Sequence, residues 1–216
     1  LTGGSLIITA TGTDDNFADT TAGSGGAVAV ASAKAETVNT STTTAEIKER
    51  TISGRAIDLT TRGTGSFQMT AEHNAVFNSR VKTLAGGLLS GSGADIDNTV
   101  TSTVEAAVGN DAVVDAKDIA IQAVNHILKE LLDEPNIKGT TGGLITGGGA
   151  DSDTTISLTT LVTIGDGASL QVVGNSSSPG GMLLSTLNDI VAKDKVSLTA
   201  GGAVSGLGAY STVETT

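Results

Sequence analysis

Two pairs of aspartates are the first residues whose type and spacing could do chemistry. Asp95 and Asp97, and Asp151 and Asp153, follow Gly-rich stretches at matching places in the chain. Alternate residues of a strand share a face, so each pair offers two carboxylates together. Hard cations bind such oxygens, which makes these four residues the calcium candidates. The calcium-binding nonapeptide Gly-Gly-x-Gly-x-Asp is broken at its fourth place in Gly147-Gly148-Gly149-Ala150-Asp151, and the EF-hand spacing is absent. The plainer alternative is a solvated acidic face that keeps strands from pairing laterally. Paired acids also hydrolyse glycosides. Sugar clefts add aromatic platforms, and here the rings are Phe17, Phe67, Phe77 and Tyr210, scattered along the chain.

Other candidates carry weaker chemistry. His73 and His126 have no second histidine or cysteine near them, and both read as surface residues. Thr9-x-Thr11-x-Thr13, Thr40-x-Thr42-x-Thr44 and Thr99-x-Thr101-x-Thr103 are hydroxyl rows suited to ice or polar polymers, though Thr is also a good strand residue. The glycine runs contain no Gly-Lys-Ser/Thr and do not read as phosphate loops. Asn39-Thr40-Ser41 and Asn175-Ser176-Ser177 match the glycosylation acceptor.

The elements that position these residues come from composition and repetition. The 216 residues are 38% hydrophobic but 2% aromatic, with 29 glycines and two prolines. Small and β-branched side chains suit thin, repetitive β-layers. No collagen-like or Pro-rich composition is present, and the continuous apolar pattern argues against disorder. The formal net charge of −11 repels nucleic acid and anionic lipid, leaving cations as charged partners. There is no cysteine, and no apolar run reaches transmembrane length.

Gly25-Gly26-Ala27-Val28, Gly86-Gly87-Leu88-Leu89, Gly142-Gly143-Leu144-Ile145 and Gly201-Gly202-Ala203-Val204 mark a repeat. Its second glycines fall at 26, 87, 143 and 202, in steps of 61, 56 and 59 residues. Gly91–Asp97 falls on Gly147–Asp153, Gly206-Leu207-Gly208-Ala209 repeats the start of that run, Val100 meets Ile156 and Val114 meets Leu170. Alternation in Ser5–Thr9, Ala56–Leu59, Ile119–Gln122, Leu170–Val172 and Val196–Leu198 predicts strands, with turns at Gly109-Asn110-Asp111 and Gly165-Asp166-Gly167. The expected fold is all-β: a right-handed parallel β-helix, or β-solenoid, with about 20 residues per coil and so about three coils per repeat. Some eleven coils would then form a rod of roughly 50 Å. Residues 1–216 read as one solenoid segment, a piece of a longer array. Helical spacing of Ile121, Val124, Ile127, Leu128 and Leu131, stopped by Pro135, predicts a short helix or loop excursion near 125–134. Leu183–Lys193 is a second such segment.

Gly86–Ala94, Gly142–Ala150 and the run Ile164–Leu170 resemble the repeat regions of large bacterial filamentous-haemagglutinin-like adhesins. The resemblance implies a right-handed parallel β-helix, export to the cell surface, and adhesion or biofilm roles. The leading expectation is therefore an extracellular structural or adhesive rod without enzymatic activity. Its partners would be a host or neighbouring-cell surface, matrix polysaccharide or identical copies. A self-assembling filament or sheath subunit, and a carbohydrate-binding or polysaccharide-cleaving β-helix module, are the alternatives.

Overall fold

The computed structural model describes residues 4–48, 58–60, 65–174 and 177–216. Its thirteen strands fall into four layers, one per sequence repeat. The first holds β1 (Leu6–Gly25), β2 (Val28–Ile47) and β3 (Asp58–Thr60), and the second β4 (Ser66–Gly86), β5 (Leu89–Val108) and β6 (Val113–Ala116). The third holds β7 (Asp118–Lys129), β8 (Ile137–Gly142), β9 (Ile145–Ile164) and β10 (Ser169–Val172). The last holds β11 (Gly181–Ala192), β12 (Val196–Gly201) and β13 (Val204–Thr215). Like strands of successive layers pair in parallel and build three sheets. Sheet one contains β1, β4, β7, β8, β11 and β12. Sheet two contains β2, β5, β9 and β13, and sheet three the short β3, β6 and β10. Of the strand expected at Ala56–Leu59, Ala56 and Ile57 lie outside the described residues, as do Asn175 and Ser176.

The hydrogen-bond register is the repeat alignment. Ala33 pairs with Ala94 and Ala94 with Ala150, then Ala150 with Ala209. Val100 pairs with Ile156 and Val114 with Leu170. One repeat therefore makes one layer, and the expected three coils per repeat are corrected. The reason lies in strand length. Polar residues such as Thr37, Asn39, Ser41 and Thr43 interrupt the apolar alternation of β2, so it reads as several short strands. They point inward, where Ser41 and Thr43 meet His73 of the facing sheet and Thr37 bonds Asn98 of the next layer, and the strand runs unbroken for 20 residues. Such a strand spans about 66 Å, whereas four layers stack to about 19 Å. The described residues form a broad slab, not an eleven-coil rod.

The second glycine of the three later corners, Gly87, Gly143 and Gly202, is required by this stacking. A Cβ at Gly87 would lie 2.2 Å from the carbonyl oxygen of Gly26, and one at Gly143 would lie 1.9 Å from that of Gly87. The corners are then tied by Gly26 N–H to Gly86 O (3.2 Å), Gly87 N–H to Gly142 O (3.0 Å) and Gly143 N–H to Gly201 O (2.9 Å). Both expected turns are present. Asp111 and Gly167 occupy the same left-handed position, at φ 54° and 71°.

The expected helix is also corrected: no helix occurs among the described residues. β7 continues to Lys129, with Ile119, Ile121, Ala123, Asn125, Ile127 and Lys129 all buried on one face. Val124 and Leu128 are outward positions of the same strand and lent the pattern its helical look. Leu183–Lys193 is likewise mostly strand, within β11. The step from Leu128 to Ile137 is nine positions, where Val76 to Val81 and Val191 to Val196 are five. Residues 130–136 are thus a loop created by a four-residue insertion in the third layer.

Sheets one and two face each other, and their interior is banded. Near sheet three, Phe67, Met69, Ile119, Ile121, Val104 and Val108 form one apolar cluster. Ala75, Phe77, Val100, Ile127 and Ile156 form a second, and Ala33, Ile96, Val81 and Ile137 a third beside the Gly-Gly corner. Two polar seams separate these clusters.

Candidate functional site

The four candidate aspartates lie on the outer face of sheet two. Asp95 pairs with Asp151 and Asp97 with Asp153, so the two predicted pairs become a two-by-two array. Lys34 and Glu36 precede them in the first layer, and Tyr210 and Thr212 follow in the fourth. Lys34 reaches across both columns. Its Nζ contacts Asp97 and stands 3.7 Å from Asp95, with all three side chains about half exposed. The hydrogen bond to Asp97 raises the Lys34 pKa, assisted by the charges of Asp97, Asp95 and Glu36. A fixed ammonium thus neutralises part of the array a cation would use. Among the described residues no group of three or more acidic or histidine side chains is gathered to hold a metal ion.

Beside this array the outer face is bare. Gly91, Gly147 and Gly206 form one column and Gly93, Gly149 and Gly208 the next. A Cβ at Gly149, Gly206 or Gly208 would meet nothing within 4 Å. Leu89, Ile145 and Val204 wall the strip on one side, and Asp95, Asp151 and Tyr210 on the other. Two of the three threonine rows join further along. Thr101 pairs with Thr40 and Thr103 with Thr42, while Thr9, Thr11 and Thr13 lie on sheet one.

His73 is the clearest correction at residue level. It is 1% exposed, not a surface residue. Its place on β4 is inward, in one column with Gly12 and Asn125. Nε2 lies 2.9 Å from Ser41 Oγ and 3.1 Å from Asp14 Oδ2, and Nδ1 lies 3.2 Å from Thr43 Oγ1. Serine, histidine and aspartate are thus assembled, but not as a catalytic triad. A triad sets the acid on one ring nitrogen and the hydroxyl on the other. Here both compete for the buried Nε2. Gly12 makes the room: a Cβ there would come within 2.3 Å of Thr43 Oγ1 and 2.7 Å of His73 Nδ1. His126 is on the surface as expected, 3.3 Å from Asp189.

The second seam holds the residues that sequence reading missed. Lys129 is fully buried and its Nζ lies 2.6 Å from Asp194 Oδ1. It also donates to Thr154 Oγ1 at 2.8 Å. Ser152 and Ser211 donate to Asp194 Oδ2 at 3.1 and 3.3 Å. Burial lowers the Lys129 pKa, opposed by its hydrogen bond to Asp194. The seam continues through Asn98, which accepts from Thr37 and Ser79, both at 2.6 Å, and donates to Thr154 at 3.4 Å. Asn136 extends it by donating to Asn78 Oδ1 at 2.6 Å. One signal was available: Lys129 has the same strand parity as Ile119, Ile121 and Ile127, which forces it inward. Its partner Asp194 sits in the connection between β11 and β12 and carries no such signal.

On sheet one, Arg80 bonds Asp19, stands 3.4 Å from Glu134 Oε2 and lies 5.7 Å over the Phe17 ring. The Arg80 hydrogen bond holds the Asp19 carboxyl below its usual range, and Lys82 does the same for Glu134.

No family model, curated protein or solved structure matches this chain. Its chemistry must be read from the geometry. Charged groups inside are consumed by one another, and those outside are spread over flat strand faces. Among the described residues no helix is long and apolar enough to cross a membrane.

Proposed function

We infer that this chain is a module of an extracellular structural or adhesive protein, a right-handed parallel β-solenoid with one repeat per turn. The observation that carries the reading is the register. Parallel columns advance by one repeat along all three sheets, so the sequence repeat is spent on stacking itself. Architecture of this kind supplies extended contact faces rather than an enclosed reaction site. The resemblance of Gly86–Ala94 and Gly142–Ala150 to filamentous adhesin repeats agrees with export to a bacterial surface and a role in adhesion or biofilm.

The contact face best suited to such a role is the outer side of sheet two. Its glycine strip is flat, walled by apolar side chains and edged by Asp95, Asp151 and the exposed Tyr210 ring. A matrix polysaccharide or neighbouring-cell surface fits that face, with Ca²⁺ bridging at Asp95, Asp97, Asp151 and Asp153 as an accessory. Binding of the purified chain to immobilised polysaccharides and whole cells tests the reading, with and without Ca²⁺. Retention lost on changing Tyr210→Ala together with Gly149→Lys supports it. Retention unchanged by both, or the absence of binding to any surface, defeats it.

A further inference from the structure

The threonine rows change meaning once one repeat makes one layer. Thr40, Thr101 and Ser157 stand in one column on the outer face of sheet two, and Thr42, Thr103 and Thr159 in the next. Val38, Thr99 and Thr155 form a third column beside them. The column of Ser157 runs on into the fourth layer, where its Oγ lies 2.7 Å from Thr216 Oγ1. Rows that recur irregularly along the chain thus fall into register in successive layers and make a flat grid of hydroxyls. Thr9, Thr11 and Thr13 on sheet one do not, since their partners in the second layer are Thr70, Glu72 and Asn74.

We propose that this hydroxyl grid binds ice. Alternate residues of a strand stand about 6.7 Å apart and successive layers about 4.8 Å apart, near the oxygen spacings on the flat faces of hexagonal ice. Threonine is stiff at χ1, so each hydroxyl and methyl keeps its place in the grid. These side chains are exposed or half-exposed, and apart from the Ser157–Thr216 bond their hydroxyls bond no other side chain among the described residues. They are left to hold water, and water held at these spacings joins a growing ice front as part of it. Other occupants fit this face less well. The grid carries no charge, and carboxylates stand one column away, at Glu36, Asp97 and Asp153 on one side and Glu105 on the other, so an anionic polymer is repelled. It has no aromatic ring on which a sugar could stack. Val38 is its one apolar side chain, too little for the core of a protein interface. Further layers above or below would lengthen the columns and leave the face bare.

The grid lies further along sheet two than the glycine strip, so ice binding goes beyond the surface-module reading and either can fail alone. Ice grown slowly in a solution of the purified chain tests it, with crystal shape and thermal hysteresis read under the microscope and the protein assayed in the ice. Crystals should be faceted, and the chain should partition into them. Thr101→Tyr, at the centre of the grid, should abolish faceting and lower the ice-bound protein several-fold with an unchanged β-sheet circular dichroism spectrum. Thr103→Val keeps the side-chain shape, removes one hydroxyl and should give a smaller loss. Thr11→Tyr, in the lone row on sheet one, should leave faceting and partition as they were. Rounded crystals with the chain excluded from the ice overturn the proposal. So does an equal loss in Thr11→Tyr, which would place the ice contact elsewhere. Retention on crystalline cellulose with none in ice overturns it as well, since the face would then belong to a polymer.

Discussion

Lys34 and Lys129 each sit against an aspartate of another layer, one outside the slab and one within it. The outer lysine spans two columns of half-exposed carboxylates, and its pKa is raised by the Asp97 hydrogen bond. The inner lysine is fully buried against Asp194, and its pKa is lowered because burial outweighs the partner. The contrast separates two uses of charge in a stacked protein. Outside, ion pairs adjust solubility and contact. Inside, an ion pair flanked by the hydroxyls of Thr154, Ser152 and Ser211 fixes which layer lies on which, since a slipped register would leave it unpaired.

The largest way to break this contrast is to orphan the buried pair. Lys129→Met should destabilise the fold by about 3–5 kcal/mol, because Asp194 is left as an uncompensated buried charge. The double change Lys129→Met, Asp194→Leu should recover most of that loss, as read from urea unfolding midpoints. If the single change is harmless, the pair is not closed to water.

Glycines give the next largest difference. Gly12→Ala drives a methyl into Thr43 and His73 and should cost about 1–3 kcal/mol. Gly149→Ala meets open space on the outer face and should be neutral or stabilising by up to about 1 kcal/mol. Thermal denaturation of the two variants measures the gap directly.

The pH response of the two lysines should differ in sign. With the folded pKa of Lys129 depressed, the unfolded chain holds that proton more tightly. Stability from this site therefore rises with pH, from the lowered folded value up to the free-lysine value of about 10.4. Lys34 behaves oppositely: its contribution is present below the free-lysine value and fades as pH rises through the elevated folded one. Unfolding midpoints across the alkaline range should climb less in Lys129→Met than in the parent chain, and fall less in Lys34→Met.

The smallest effect is expected at the acidic array. Asp97→Asn should change stability by less than about 1 kcal/mol, with the difference shrinking as salt is added. A larger, salt-insensitive loss would mean that the outer array is structural.

Much of this architecture was legible in the chain. The Gly-Gly corners and the matched runs at Gly91–Asp97 and Gly147–Asp153 became hydrogen-bond partners residue for residue, and both turns fell where glycine and aspartate chemistry placed them. The size of a coil was not legible. Inward Thr37, Asn98 and Ser102 look like strand breaks when apolar alternation is the only guide. Their meaning depends on polar partners such as Ser79 and Asn125, which no local pattern connects to them. The acidic pairs were placed correctly on one face, but Lys34 between them comes from another repeat and was invisible to spacing. His73 was misread for the same reason: the Gly12 beneath it and the hydroxyls of β2 beside it are neighbours only after folding.

The four extra residues between Leu128 and Ile137 interrupt the ladder opposite Phe77–Arg80 but leave the pairing on either side in register, because the fourth layer omits them and resumes the earlier step. Length there is decoupled from register. Residues 130–136 therefore mark a splice point, where a longer peptide could be carried on the rim of the third layer while the ladders on either side keep their count.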